Sequence, residues 1–251
     1  MQLVAETVRK TGNPSLLEVE AAKASRGIEI GQNSGLFAAP RVNDFDAGAG
    51  VLEFERLSGL ATLLDLAIRK DQRLRRLLKK AGQALAVVHK ELVLPEGMKH
   101  ELPTEWMAPA GENVFIHGDF ACINVCFHEP SDGLVILDWS AAPLVGRIPT
   151  FGSRYFDILL FVSSIFHGAP WRRALSWNAR EMADTFLQGY AEVAPEVEFD
   201  CLRNYASQIC RLQRRNVRQL AAQKQFFKAA GFICHQMLMN ARLCLFLNGY
   251  K

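Results

Sequence analysis

The residues with the clearest chemical use lie between Phe115 and Trp139. An apolar lead-in carries His117-Gly118-Asp119. Asn124 follows, and the apolar run Leu134-Val135-Ile136-Leu137 ends on Asp138. Between them, Glu129-Pro130-Ser131-Asp132-Gly133 has the composition of a hairpin turn, with Pro and Gly supplying the φ values a reversal needs. A hairpin centred on Ser131 sets Asn124 opposite Asp138 at its open end, with Asp119 on the loop just before it. That set of oxygens suits a Mg²⁺-nucleotide, because magnesium takes one or two protein oxygens and completes its shell with phosphate and water. Asn124 and Asp138 are the expected metal ligands, and Asp119 is placed to orient or deprotonate an attacking hydroxyl. A strand ending in Asp, or a lone His-Gly-Asp turn, is ordinary in a folded protein. Their occurrence together, in order, is what points to phosphoryl transfer.

Such side chains need a scaffold, and 251 residues are enough for a small lobe and a larger one. A net charge of +3 gives no reason to expect nucleic-acid binding. The six cysteines form no CxxC pair and sit mostly in apolar runs, which favours buried free thiols and a cytoplasmic location over a disulfide framework or a zinc site. Met1 to Lys10 alternates like a strand and does not read as a signal peptide. The apolar run Gly231 to Leu247 is interrupted by His235, Gln236, Asn240 and Arg242, so it reads as a buried helix and no membrane span is expected. Composition fixes no oligomeric state.

Leu3 to Lys10 reads as one strand. Gly12-Asn13-Pro14-Ser15 then offers Ser15 as N-cap of a short helix from Leu16 to about Ser25, followed by a connection containing Gly27, Gly31 and Gly35. Gly50 to Phe54 is a second strand leading into the polar segment Glu55 to Gly59. From about Gln72 to Leu92, Leu74, Leu77, Leu78, Ala81, Leu85 and Val88 form an apolar stripe, and the intervening Arg and Lys residues read as a solvated face. His89 stands near the negative end of that helix dipole. Ala141 to Ser153 reads as a loop rich in Pro and Gly. Asp157 opens the apolar helix Ile158 to Phe166. Helices are expected over Trp171 to Ala194, Asp200 to Phe227 and Ala229 to Leu247. The order is α+β, with a small strand-containing lobe followed by a large, mainly helical one.

These residues resemble the aminoglycoside phosphotransferase and choline kinase family, which has a protein-kinase-like two-lobed fold. His117-Gly-Asp119-x4-Asn124 matches that family's catalytic loop, and Val135-Ile-Leu-Asp138-Trp139 matches its metal-binding strand. Ala84 to His89 resembles the helix that ends beside the catalytic loop, and Arg154 to Ile158 the Asp-led helix after the metal-binding segment. The resemblance implies Asp119 as catalytic residue, Asn124 and Asp138 as metal ligands, and ATP with Mg²⁺ as cofactors. It implies adenine contacts from the backbone of the hinge around Glu55 and Leu57. It also implies Lys10 as the phosphate-contacting lysine, paired with Glu20, or alternatively with Glu18.

Residues 1–57 would form a partial N-terminal lobe covering the nucleotide, and 58–251 the C-terminal lobe with the catalytic loop, metal hairpin and acceptor region. The first two strands and the Gly-rich phosphate loop of the family find no match. No Asp-Phe-Gly to Ala-Pro-Glu activation segment is present, so the expected acceptor is a small-molecule hydroxyl, as on an aminoglycoside, choline or a sugar, rather than a protein. A basic face including Arg211, Arg214, Arg215, Arg218 and Lys224 could attract an acidic acceptor or be plain surface. The alternative function is a kinase-like nucleotide-binding or regulatory protein with little turnover.

Overall fold

The computed structural model describes residues 2–4, 6–109, 112–140, 149–222 and 226–249. The alternating N-terminal stretch forms two strands, not one. β1 (Gln2–Val4) and β2 (Thr7–Thr11) pair antiparallel, with Val4 opposite Thr7. Alternation marks extended chain but carries no information on where it reverses. With β3 (Val42–Asp46) and β4 (Val51–Glu55) they make an antiparallel sheet of order β1-β2-β4-β3. β2 therefore has a short strand on the side where none was expected.

α1 (Pro14–Ser34) runs well past Ser25. Its N-cap is Asn13, whose side chain accepts from the Ser15 N–H at 3.0 Å, and Pro14 takes a first-turn position that needs no donor. Gly27 and Gly31 thus lie inside the helix, at a propensity cost of up to about 1 kcal/mol each relative to alanine. Packing outweighs that cost. A Cβ on Gly27 would fall 2.4 Å from the indole of Trp139, so α1 approaches that ring as closely as only glycine allows. Gly27→Ala is expected to overpack this contact and lower stability by about 1–3 kcal/mol, read as a drop in thermal midpoint.

A second antiparallel sheet holds β5 (Leu60–Thr62), β7 (Val125–His128) and β8 (Gly133–Ile136) in the order β5-β7-β8. β6 (Asn113–Phe115) pairs with β9 (Phe151–Ser153), a strand inside the stretch expected to be loop, of which 141–148 lie outside the described residues. Ala38, just after α1, bridges to Val135. Its N–H donates to Leu134 O at 2.8 Å and its carbonyl accepts from the Ile136 N–H at 2.9 Å. The end of α1 is thereby tied to the β7–β8 hairpin.

The helical part contains α2 (Leu63–Arg69), α3 (Leu74–Glu91), α4 (Tyr155–His167), α5 (Ala179–Val193), α6 (Ala206–Ala222) and α7 (Phe226–Asn248). α2 was not expected, although Thr62 and Asp65 form a reciprocal capping box that the sequence spells out. α3 buries Leu77, Leu78, Ala81, Leu85 and Val88, while Arg73, Arg76 and Lys79 pair with Asp71, Asp132 and Glu192. Phe120, Phe161 and Phe186 stack between α4, α5 and the loop before β7, and Trp177 and Tyr190 are buried near them. Trp171 is 63% exposed and stands outside this core.

α7 buries His235, Gln236 and Asn240 but exposes Met237, Leu238 and Leu245. Its stretch 228–248 is long and apolar enough to cross a membrane, and 33% of it is buried, so the expected buried helix is only partly one. Arg242 holds it to the carbonyls of Ala174 and Trp177. Cys210 and Cys244 form a disulfide between α6 and α7, whereas Cys122, Cys126, Cys201 and Cys234 are free. The expectation of six free thiols is corrected for that pair. Two cysteines in separate apolar runs carry no spacing signal of the contact that two packed helices create.

Candidate active site

Val8 and Lys10 are two apart on β2, so both side chains emerge on one face, toward a cleft of about 310 Å³. Lys10 Nζ bonds Glu20 of α1, which is buried, while Glu18 is exposed. The same ammonium donates to Asp138 Oδ1 at 2.7 Å. Burial opposes charge on both groups. The two carboxylates nonetheless raise the pKa of Lys10, and the Lys10 ammonium, with bonds from Lys10 and Ser140, holds the Asp138 carboxyl below its ordinary value. Both bonds fall on Oδ1, and among the described residues no donor is bonded to Oδ2.

The hairpin register differs from expectation by one residue. Val125 pairs with Ile136 and His128 with Gly133, so Asn124 faces Leu137 rather than Asp138. The cause is the turn. Glu129–Ser131 form a 3₁₀ turn closed by Asp132 in the left-handed region (φ 46°), so no residue sits at the centre of the hairpin. A one-residue slip would turn a regular strand inside out. Here β8 has already ended at Ile136, and Asp138 takes a left-handed φ of 54°, a conformation aspartate tolerates better than most residues. Asn124 and Asp138 consequently line the same cleft despite the shifted register.

Asp119 is not on the cleft wall but joins it through Asn124, whose Nδ2 donates to Asp119 O at 2.9 Å and to Oδ2 at 3.0 Å. Burial, reinforced by the charge of Asp138, pushes the Asp119 carboxyl up to about 7. That value suits a base working near neutrality. Gly118 supplies the φ of 87° by which the chain turns into Asp119.

The loop is held from below by Asp157, which is fully buried on α4. Its carboxylate accepts from the His117 N–H at 2.7 Å, the Gly118 N–H at 2.8 Å and His89 Nε2 at 3.1 Å. Burial alone would raise its pKa, but these bonds keep it low. His89 is buried as well, its pKa lowered by burial, with Nδ1 2.8 Å from Tyr190 Oη. The expected dipole role at a helix end is replaced by a link between α3, α4 and α5. Asp157→Ala would strip two buried N–H groups and a histidine of their acceptor. We expect a loss of about 3–5 kcal/mol in denaturant unfolding.

Glu55 ends β4 and Leu57 lies half-buried in the segment after it. Both line the cleft, and the Leu57 N–H has no partner among the described residues. Val8, Phe54, Leu60 and Leu137 supply apolar walls. Lys10, Glu20, Glu55, Leu57, Asn124 and Asp138 therefore line the cleft, and Asp119 is one hydrogen bond from it. Lys23 was missed. It is fully buried on α1 and donates to the His117 carbonyl. Glu20, Lys23, Ala24 and Gly27 recur at the spacing of one helical face, a signal visible only once the helix is known to pass Ser25. Among the described residues, no group of three or more His, Cys, Asp or Glu side chains is arranged to hold a metal. Arg211, Arg214, Arg215 and Arg218 lie on α6, none of them buried, and Lys224 lies outside the described residues.

No family model and no curated protein matches the sequence. Among solved structures, the chain is similar to a glucosamine kinase, with a TM-score of 0.60 and 12% identity over 100% of this chain and 84% of that one. It is similar to choline kinase LicA from Streptococcus pneumoniae, with a TM-score of 0.58 and 13% identity over 99% and 88%. A third is amicoumacin kinase hAmiN in complex with AMP-PNP, Ca²⁺ and Ami, with a TM-score of 0.55 and 11% identity over 94% and 80%. The chain has the protein-kinase-like fold of these small-molecule kinases.

Proposed function

We propose that the protein transfers the γ-phosphate of ATP to a hydroxyl of a small molecule of the aminoglycoside, choline or amino-sugar kind. One observation carries the reading: the Lys10–Glu20 pair, Asp138, and Asn124 with the Asp119 carboxyl of pKa about 7 bonded to it meet around one cleft that Val8, Phe54, Leu60 and Leu137 also line. Apolar walls suit a flat base, and the Leu57 N–H with the Glu55 backbone suits its polar edge. We assign residues 1–57 to covering the nucleotide and 58–251 to the chemistry and the acceptor.

The donor set fits a hard divalent ion. Asp138 is ionised and has one oxygen without a donor, and Asn124, with its amide nitrogen engaged by Asp119, presents its amide oxygen. Mg²⁺ held by Asn124 and Asp138 would supply charge neutralisation on the phosphate oxygens. Lys10, steadied by Glu20, positions the α- and β-phosphates. Asp119 accepts the proton of the acceptor hydroxyl, whose oxygen bonds to the γ-phosphorus while the bond to the β-phosphate oxygen breaks and ADP departs. Rate enhancement comes from positioning and fixed charge rather than from a covalent intermediate.

The test is a panel of hydroxyl-bearing amines, amino sugars and aminoglycosides incubated with Mg²⁺ and γ-labelled ATP. We expect label on at least one panel member, dependent on the divalent ion. Nucleotide bound with no label transferred to any acceptor would favour a binding protein instead.

A further inference from the structure

The catalytic loop is gripped from two directions. Asp157 takes the N–H groups of His117 and Gly118, and the Asp119 N–H donates to His117 Nδ1 at 3.2 Å. On the other side, the carbonyl of His117 receives the ammonium of Lys23. A lysine with no exposure is expensive to bury. Burial lowers its pKa to about 8, against the pull of Asp157 of α4, Glu20 of α1, Asp119 of the loop and Asp138 of the hairpin, which favour the charged form. The His117 ring beside it is neutral, because burial and the Lys23 charge together hold its pKa near 3. Lys23 sits one turn from Glu20 and one turn from Gly27, which packs on Trp139. A single helix therefore carries the partner of Lys10, the seat of Trp139 and a bond to the catalytic loop.

We propose that Lys23 is a positioning residue that clamps residues 117–119 onto α1, so that Asp119 keeps a fixed place relative to the Lys10–Glu20 pair. Its consequence for turnover rests on the phosphotransferase reading; the clamp itself does not. A methionine would fill the same volume without a donor, and a glutamine would restore a neutral N–H. Relief of the buried charge offsets the lost bond in Lys23→Met, so a fall in global stability is not the expected sign.

The experiment compares the full chain with Lys23→Met and Lys23→Gln. Amide hydrogen exchange over residues 115–121 should accelerate about tenfold or more in Lys23→Met, with exchange in α3 and α5 unchanged. Lys23→Gln should recover part of that protection. Hydrolysis of Mg²⁺·ATP with water as acceptor should lose about tenfold or more in kcat, with KM for ATP within about twofold. Loop exchange equal to wild type in Lys23→Met would overturn the clamp, as would acceleration spread evenly over the chain in both variants. If wild type neither binds Mg²⁺·ATP nor hydrolyses it, the phosphotransferase reading fails, and loop exchange still decides the clamp.

Discussion

Asp138→Ala is expected to abolish divalent-ion-dependent nucleotide binding and to lower phosphoryl transfer by about 10³-fold or more. The size follows from the position of this carboxylate. It is the proposed metal ligand and it also holds Lys10, at 2.7 Å, so its removal takes away both contacts and leaves the lysine with Glu20 alone. Calorimetric titration with a non-hydrolysable nucleotide, with and without Mg²⁺, measures the binding part. Unchanged Mg²⁺ dependence in the variant would remove Asp138 from the metal site. The fold should survive, because Asp138 lies beyond the end of β8 and its side chain anchors no buried backbone group.

Asp119→Asn should separate binding from chemistry. Nucleotide affinity should stay within about threefold, while kcat falls by about 10²–10⁴-fold, the usual worth of a positioned base. In wild type, kcat/KM should rise with pH through about 7 as the carboxyl ionises and then level off, and the variant should lack that limb. Stability moves the other way. The folded pKa of Asp119 lies above its ordinary 3.8, so between those values the native state holds a proton that the unfolded chain has lost. Raising pH through that window therefore destabilises the wild type, by a few kcal/mol at most above about pH 7. Metal-free Asp119→Asn should melt higher than wild type at pH 8, and the two should converge near pH 3. A variant that melts lower at pH 8 would mean that Asp119 is held by contacts worth more than the charge it buries.

Much of this site can be read in the chain because its chemistry is local. His117-Gly118-Asp119 needs a left-handed glycine before its carboxylate. Asn124 must follow within reach of Asp119, and an apolar strand must end on Asp138. Each of these is a constraint over a few residues, and each is written there. Lys10 with Glu20 came from the family resemblance, which left Glu18 as an alternative, and the fold pairs Lys10 with Glu20.

Tertiary contact decided the rest. Alternation could not show that the first strand reverses, and propensity argued against a helix through Gly27 and Gly31, which the indole of Trp139 and the Phe37 backbone require to lack side chains. The hairpin register turned on one left-handed residue in its loop, Asp132. His89 and Lys23 look like surface charges until α4 and the loop at His117 close over them. A buried ionisable group is defined by what surrounds it, and its neighbours Asp157, Tyr190 and the His117 carbonyl come from distant parts of the chain. The sequence by itself singled out the side chains proposed to do chemistry. Only the folded molecule decided which of them are held still, because holding requires partners that meet through packing and not through spacing.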